Sequence, residues 1–145
     1  MIFWDSSALV PLLIREQQSK QCETLLAQET RIIVWTYTPT EILSAAYRRC
    51  RNGLLPDTTL TTLLTDLAKF RKGWSEVLPQ ESVRMKAHRL LATHPLRAAD
   101  ALQLAAALVA FHDLPDGERF VTLDTELARA AQREGFTVLP HNVYT

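Results

Sequence analysis

Four carboxylates stand in company that does not suit an ionised group. Asp5 closes the apolar run "MIFWD", Glu41 lies in "TPTEILSAAYR", Asp100 in "LRAADALQLAAALVAF", and Asp124 directly after "RFVTL". The chain holds sixteen acids, and most of the others lie in plainly polar stretches. Asp100 is the hardest to explain locally. In a helix starting near Leu96 it lies past the cap positions, with Leu96 and Leu104 one turn away and Gln103 and Arg97 beside it. An unpaired buried carboxylate costs several kcal/mol or takes up a proton. Two remedies stand: an ion pair with Arg97 three residues earlier, or a cation shared with other acids.

Each of the other three also has a local explanation. Asp5 can cap the helix that follows it, although Ser6 and Ser7 can do so instead and leave Asp5 facing a cleft. Thr38-Pro39-Thr40-Glu41 matches a capping box, with Thr at the cap and Glu three residues on. Asp124 can cap "TELARAA", and Thr122, on the same strand face, can support it by a hydrogen bond. Taken together the four change meaning. Two lie at the carboxyl ends of strands and two on the first turns of helices, positions that can converge on one edge of a parallel sheet. Carboxylates so gathered repel, and all-oxygen donors select hard ions, Mg²⁺ or Mn²⁺. An ion held that way is suited to phosphoryl chemistry, where it polarises a water and stabilises charge on phosphate.

The elements that must position these acids follow from periodicity and punctuation. "IFW" and "RIIVW" read as short buried strands, with the helical segments "SSALVPLLIREQQ" and "SKQCETLLAQE" between them. Thr38 as cap, Pro39 at the first position and Gly53 as stop delimit the next helix. "PDTTLTTLLTDLAKFRKG" is helical, "WSEVLP" a strand, and "QESVRMKAHRLLATH" a helix stopped before Pro95. After the helix of Asp100 come the loop "HDLPDGE", the strand "RFVTL", the helix "DTELARAAQREG" and the strand "FTVLP". Alternation of strands and helices predicts an α/β layer fold around a parallel sheet. With no repeat or linker, residues 1–145 read as one domain.

Composition bounds the rest. The 145 residues are 47% hydrophobic and 22% charged, with sixteen basic and sixteen acidic side chains, so net charge points to neither nucleic acid nor membrane. Cys22 and Cys50 form no metal-ligand spacing and read as buried free thiols suited to a reducing compartment. The N-terminus has no basic leader, and no stretch reaches the roughly 18 apolar residues of a spanning helix. His88, His94, His112 and His141 show no metal spacing, and Trp4, Trp35 and Trp74 fall in or beside strands, where core packing explains them.

In order and interval, the four acid-bearing segments resemble the motifs of the PIN-domain ribonucleases, in particular the small VapC-type toxins of toxin–antitoxin pairs. "FWDSSALV", "TPTEILSAAYR", "LRAADALQLAAA" and "FVTLDTELARAA" are similar to the first to fourth motifs, and the likeness runs from residue 2 to about residue 140. The resemblance implies a three-layer α/β/α fold with about five parallel strands. It implies metal-dependent hydrolysis of single-stranded RNA leaving a 5′-phosphate and a 3′-hydroxyl. It also implies a homodimer, a cognate antitoxin and a cytoplasmic setting. By carry-over Asp5, Glu41 and Asp100 hold Mg²⁺ or Mn²⁺, and Asp124 completes the set directly or through water. Ser6 then supports a ligand carboxylate or a phosphate, or simply caps its helix.

Arg48, Arg49 and Arg97 are the candidate phosphate contacts. For Arg48 and Arg49, favourable charge at a helix C-terminus is the competing explanation. Gln103 stands where many members carry His and is assigned no catalytic role, and Glu126, two residues along a helix from Asp124, is expected to point elsewhere. Two alternatives remain: a PIN-like RNA- or protein-binding module with a vestigial metal site, and a non-toxin PIN nuclease of RNA processing.

Overall fold

The computed structural model describes residues 1–141. Among them, β1 (Ile2–Trp4), β2 (Ile32–Trp35), β3 (Ser75–Val77), β4 (Arg119–Val121) and β5 (Thr137–Leu139) form one parallel sheet in the order β3-β2-β1-β4-β5. The chain moves outward from β1 through β2 to β3, returns to lay β4 against the other side of β1, and finishes outward at β5. The gap between β1 and β4 is therefore where the winding reverses. In open parallel sheets the crevice beyond the carboxyl ends at such a reversal is where ligands bind.

The central strands β1, β2 and β4 bury both faces, as a sheet covered on two sides requires. Ile2 and Trp4 of β1, with Ile32 and Val34 of β2, enter one core together with Leu9, Ile42, Leu63 and Leu67. That layer is made by α1 (Ser6–Leu13), α2 (Ser19–Gln28), α3 (Thr38–Arg51) and α4 (Asp57–Gly73). Phe3, Ile33 and Trp35 point the other way, into a core shared with Phe120, Leu104 and Leu127. There α5 (Glu81–Thr93), α6 (Ala98–Ala110) and α7 (Thr125–Glu134) form the third layer. The period-2 alternation of strand side chains sorts the residues of each strand between the layers. Phe3 and Phe120 stack across the β1–β4 junction with ring centroids 5.3 Å apart. Among the described residues no helix is long and apolar enough to cross a membrane.

Three local features differ from the sequence expectation. First, α1 ends at Leu13. Pro11 lies inside it and removes a backbone donor, so the helix continues only to the end of that turn. Second, the capping box at Thr38 does not form: Tyr37 is the N-cap, without a side-chain cap bond, and Thr38 is the first helical residue. The polar atoms of Thr38 and Glu41 are engaged with other elements instead, as described below. Third, β3 is shorter than "WSEVLP": α4 runs to Gly73 as expected, Trp74 beyond it caps the helix in extended conformation, and the strand covers only Ser75–Val77. Where Gly135 ends α7 the expectation and the structure agree. Its φ of +111° disfavours a side chain, and a Cβ there would lie 3.1 Å from Pro115 Cγ.

Candidate active site

The carboxyl ends of β1 and β4 bring Asp5 and Asp124 to the reversal point. Asp5 follows β1 and is 3% exposed. Its Oδ2 accepts from Ser7 Oγ at 2.6 Å, Thr122 Oγ1 at 2.9 Å and the Ser7 backbone N–H at 3.3 Å. The two hydroxyls are themselves oriented: Leu123 N–H donates to Ser7 Oγ at 2.9 Å, and Asp124 N–H to Thr122 Oγ1 at 3.1 Å. Each hydroxyl therefore receives a backbone proton and directs its own at Asp5. All three of these bonds fall on one oxygen. Oδ1 has only the Ser6 hydroxyl, at 3.5 Å.

Asp5 is thus both a helix cap and part of an acid group. Thr122 differs from its expected role, because its hydroxyl serves the carboxylate of Asp5, and only the backbone of Asp124. The carboxylate of Asp124 caps α7, with Oδ1 accepting from Leu127 N–H at 2.9 Å. Ser7, which sequence reading offered only as an alternative cap, ties the start of α1 to the end of β4. Replacing Ser7 with Ala is expected to lower stability by about 1–3 kcal/mol. It strands the Leu123 N–H and removes the shortest bond to Asp5, and chemical denaturation would measure the loss.

Glu41 reaches the group from the first turn of α3. Its Oε2 accepts from Gln103 Nε2 at 2.8 Å, and its Oε1 from Ser6 Oγ at 3.3 Å. Ser6 thus lies between Asp5 and Glu41. Gln103, fully buried on α6, also donates to Thr38 Oγ1 at 3.0 Å. The contact between α6 and α3 explains why no capping box forms. Sequence reading gave Gln103 no role; the available signal was a polar residue one turn beyond Asp100 on an otherwise apolar helix face.

Asp100 is half-buried on the first turn of α6. It accepts no hydrogen bond and joins no ion pair among the described residues. The anticipated pairing with Arg97 is not made. Arg97 is the N-cap of α6, exposed, and acts on Asp100 only as a nearby charge, the smallest of four influences. Burial and the charges of Asp124 and Asp5 together push the Asp100 carboxyl up to about 6. Burial and the Asp5 charge raise Glu41 to about 7, against the hydrogen bonds from Gln103 and Ser6. Burial also raises Asp5, opposed by Ser7 and Thr122 and reinforced by the Asp124 charge. The four acids, 24 to 119 residues apart in sequence, therefore share one electrostatic environment.

A cavity of about 420 Å³ opens beside them, lined by Pro95, Arg97, Ala99, Asp100, Asp124 and Glu126. Glu126 lies on its rim, contrary to expectation, with its carboxylate paired to Arg129 at 3.2 Å. The more apolar cavity of about 390 Å³ between Leu26, Ile32, Phe70 and Trp74 is lined by none of the four acids. Of the basic candidates, only Arg97 borders the acids. Arg48 and Arg49 lie seven and eight residues beyond Glu41, roughly 10–12 Å along the helix axis. Arg48 contacts Ser44 at 3.4 Å, and Arg49 is paired to Glu16 at 2.6 Å. They serve the C-terminal end of α3, which the helix dipole favours for cations.

Among the described residues no three acidic, His or Cys side chains converge closely enough to enclose one bare ion. The donor set fits a hydrated one. Mg²⁺ characteristically keeps several waters and takes one or two carboxylates. Among the described residues both oxygens of Asp100 and Oδ2 of Asp124 accept from no protein donor, and Asp5 Oδ1 has only the Ser6 hydroxyl at 3.5 Å.

The model of the PIN domain family matches residues 2–133. No curated protein matches the chain. Among solved structures, the chain is similar to one described as a toxin–antitoxin complex from Klebsiella pneumoniae. The identity is 18%, the TM-score 0.56, and 87% of this chain and 88% of that chain are covered. At that identity the likeness is one of fold.

Proposed function

The chain belongs to the PIN-domain family, and from that premise we propose that it is a metal-dependent endoribonuclease, the VapC-type toxin of a toxin–antitoxin pair. The observation that carries this reading is Asp100: a half-buried carboxylate raised by burial and by its acidic neighbours, with no hydrogen-bond or ion-pair partner among the described residues. Such a group is tolerable at neutral pH when a cation joins the set. Asp5, Glu41 and Asp100 would hold a hydrated Mg²⁺ or Mn²⁺, with Asp124 completing the pocket directly or through water. When bound, the ion supplies a polarised water and stabilises charge on the phosphate.

The chain's own residues do the rest. Ser7 and Thr122 fix the Asp5 carboxylate, and Ser6 spans Asp5 and Glu41. Arg97, exposed on the rim beside Asp100, is placed to receive an RNA phosphate. Arg48 and Arg49 are not proposed as contacts at the scissile bond. The 3′-hydroxyl and 5′-phosphate ends of the family's hydrolysis are the expected products.

The similar solved structure is described as a toxin–antitoxin complex, which supports an antitoxin partner for this chain. A homodimer and a cytoplasmic setting accompany that reading; the two free cysteines accord with the latter.

Incubation of the purified protein with total RNA, with Mn²⁺ or Mg²⁺ and with EDTA, tests the activity. Cleavage at defined sites, dependent on the ion and leaving 5′-phosphates, is expected. Mn²⁺ binding without cleavage of any RNA would overturn the nuclease reading, and failure to bind Mn²⁺ would favour a binding module with a vestigial site.

A further inference from the structure

Gln103 is the exception on its helix. From Ala101 to Leu108, α6 buries Ala101, Leu104, Ala105, Ala106, Ala107 and Leu108 in the core, and Gln103 is buried as completely as any of them. A polar side chain at such a position needs all its hydrogen bonds to be tolerated. Gln103 makes only part of them. Its two amide protons go to Glu41 Oε2 at 2.8 Å and to Thr38 Oγ1 at 3.0 Å. Among the described residues its buried Oε1 has no partner. The amide is therefore oriented to serve α3 while its own acceptor goes unpaired. An apolar side chain of the same length would remove that orphan but strand the buried Thr38 hydroxyl and leave Glu41 Oε2 without its donor, so the amide matters for where it holds those two groups.

The consequence falls on Glu41. Holding Oε2 leaves Oε1 on the side of Ser6 and Asp5, facing the acid group. Without the amide the flexible glutamate side chain has only the Ser6 hydroxyl, at 3.3 Å, to hold it. Gln103 also lies one turn beyond Asp100 on the same helix. One helix thus contributes an acid to the group and, one turn later, the donor that orients another acid from across the edge of the sheet.

We propose that Gln103 is a positioning residue that sets Glu41 for cation binding. The proposal rests on the metal-dependent reading above. Its test compares Gln103→Met and Gln103→His with the wild-type protein in three measurements. These are thermal unfolding in EDTA, Mn²⁺ affinity by calorimetry, and kcat and KM for RNA cleavage.

Methionine removes the unpaired acceptor and the donor together. Q103M is expected to unfold somewhat below the wild-type temperature, because the buried Thr38 hydroxyl loses its donor, to bind Mn²⁺ about tenfold more weakly or worse, the scale of loss for a group that orients a metal ligand, and to lose kcat with KM for RNA nearly unchanged. Histidine keeps an N–H donor, so Q103H is expected to recover part of the Mn²⁺ affinity. A Q103M protein too unstable to isolate, or a Q103H protein that binds Mn²⁺ no better than Q103M, would overturn the proposal, because either makes Gln103 a structural residue. Wild-type Mn²⁺ affinity in Q103M would overturn it equally. In either case a wild-type protein that binds Mn²⁺ and cleaves RNA leaves the nuclease reading standing. A wild-type protein that does neither removes both.

Discussion

Asp100→Asn is expected to abolish metal-dependent cleavage while leaving the fold intact. The two side chains have nearly the same shape, and Asp100 makes no hydrogen bond or ion pair that Asn would break. What Asn removes is the charge, on a group that burial and the carboxylates of Asp124 and Asp5 already push up to about 6. In metal-free protein at pH 7.5 the variant should therefore unfold at the wild-type temperature or higher. Cleavage should fall at least about a hundredfold, the upper end of the loss seen when only the support of a metal ligand is removed. Mn²⁺ should no longer raise the unfolding temperature. The pairing of retained stability with lost activity is diagnostic. Full cleavage by D100N would exclude Asp100 from the site, and a large drop in stability would show that the carboxylate has a structural partner.

The second large effect is a reversal of the usual response to pH. Glu41 titrates near 7 and Asp100 near 6, against ordinary values of 4.5 and 3.8, and Asp5 is raised as well. Between the ordinary and the raised values the folded protein holds protons that the unfolded chain has released. Stability then falls as pH rises, because the slope of the unfolding free energy follows protons bound in the unfolded state minus those bound in the folded state. Glu41 and Asp100 stabilise the metal-free fold fully below about pH 4 and progressively lose that contribution up to about pH 7, and Asp5 acts in the same sense. Glu134 works in the opposite sense. Burial raises it, but the hydrogen bonds from Arg89 and His94 outweigh this and hold it below its ordinary value, so its contribution is lost in acid.

Metal-free protein should accordingly be most stable near pH 5 and melt at lower temperature at pH 7.5. A divalent ion binds the ionised acids, so its effect should be the mirror image. At a hundred times its dissociation constant it adds about 2.7 kcal/mol, roughly 5–10 °C for a chain of this length. That shift should appear at pH 7.5 and nearly vanish at pH 5, where protons compete for the same oxygens. Cleavage should decline through the same range, tenfold or more per pH unit below about 6. Thermal scans at the two pH values, each with EDTA and with Mn²⁺, would check it. A metal-free melting temperature that rises from pH 5 to 7.5 would show that the acids do not share one site.

Much of this molecule is legible in one dimension because the relevant forces act over a few residues. Short β-branched and aromatic runs such as "RIIVW" read as buried strands, and the long alanine-rich run around Asp100 reads as a buried helix. Apolar periodicity and helix punctuation therefore yield the order of elements, the parallel α/β class, and four acids at the ends of elements.

Partners across the sheet are a different matter. Nothing local says that β4 returns to lie beside β1. That choice brings Thr122 to Asp5 across 117 residues and Ser7 to the Leu123 backbone across 116. Nor does local pattern say that Gln103 of α6 meets Thr38 and Glu41 of α3, which dissolved the capping box that the sequence of α3 advertises. The same step assigned Arg97 to the acidic rim and sent Arg48 and Arg49 away along α3. Spacing along the chain determined which residues lie at the ends of strands and helices. The reversal of strand order determined which of those ends meet, because a hydrogen bond or a charge acts over a few ångströms of space whatever the separation in sequence.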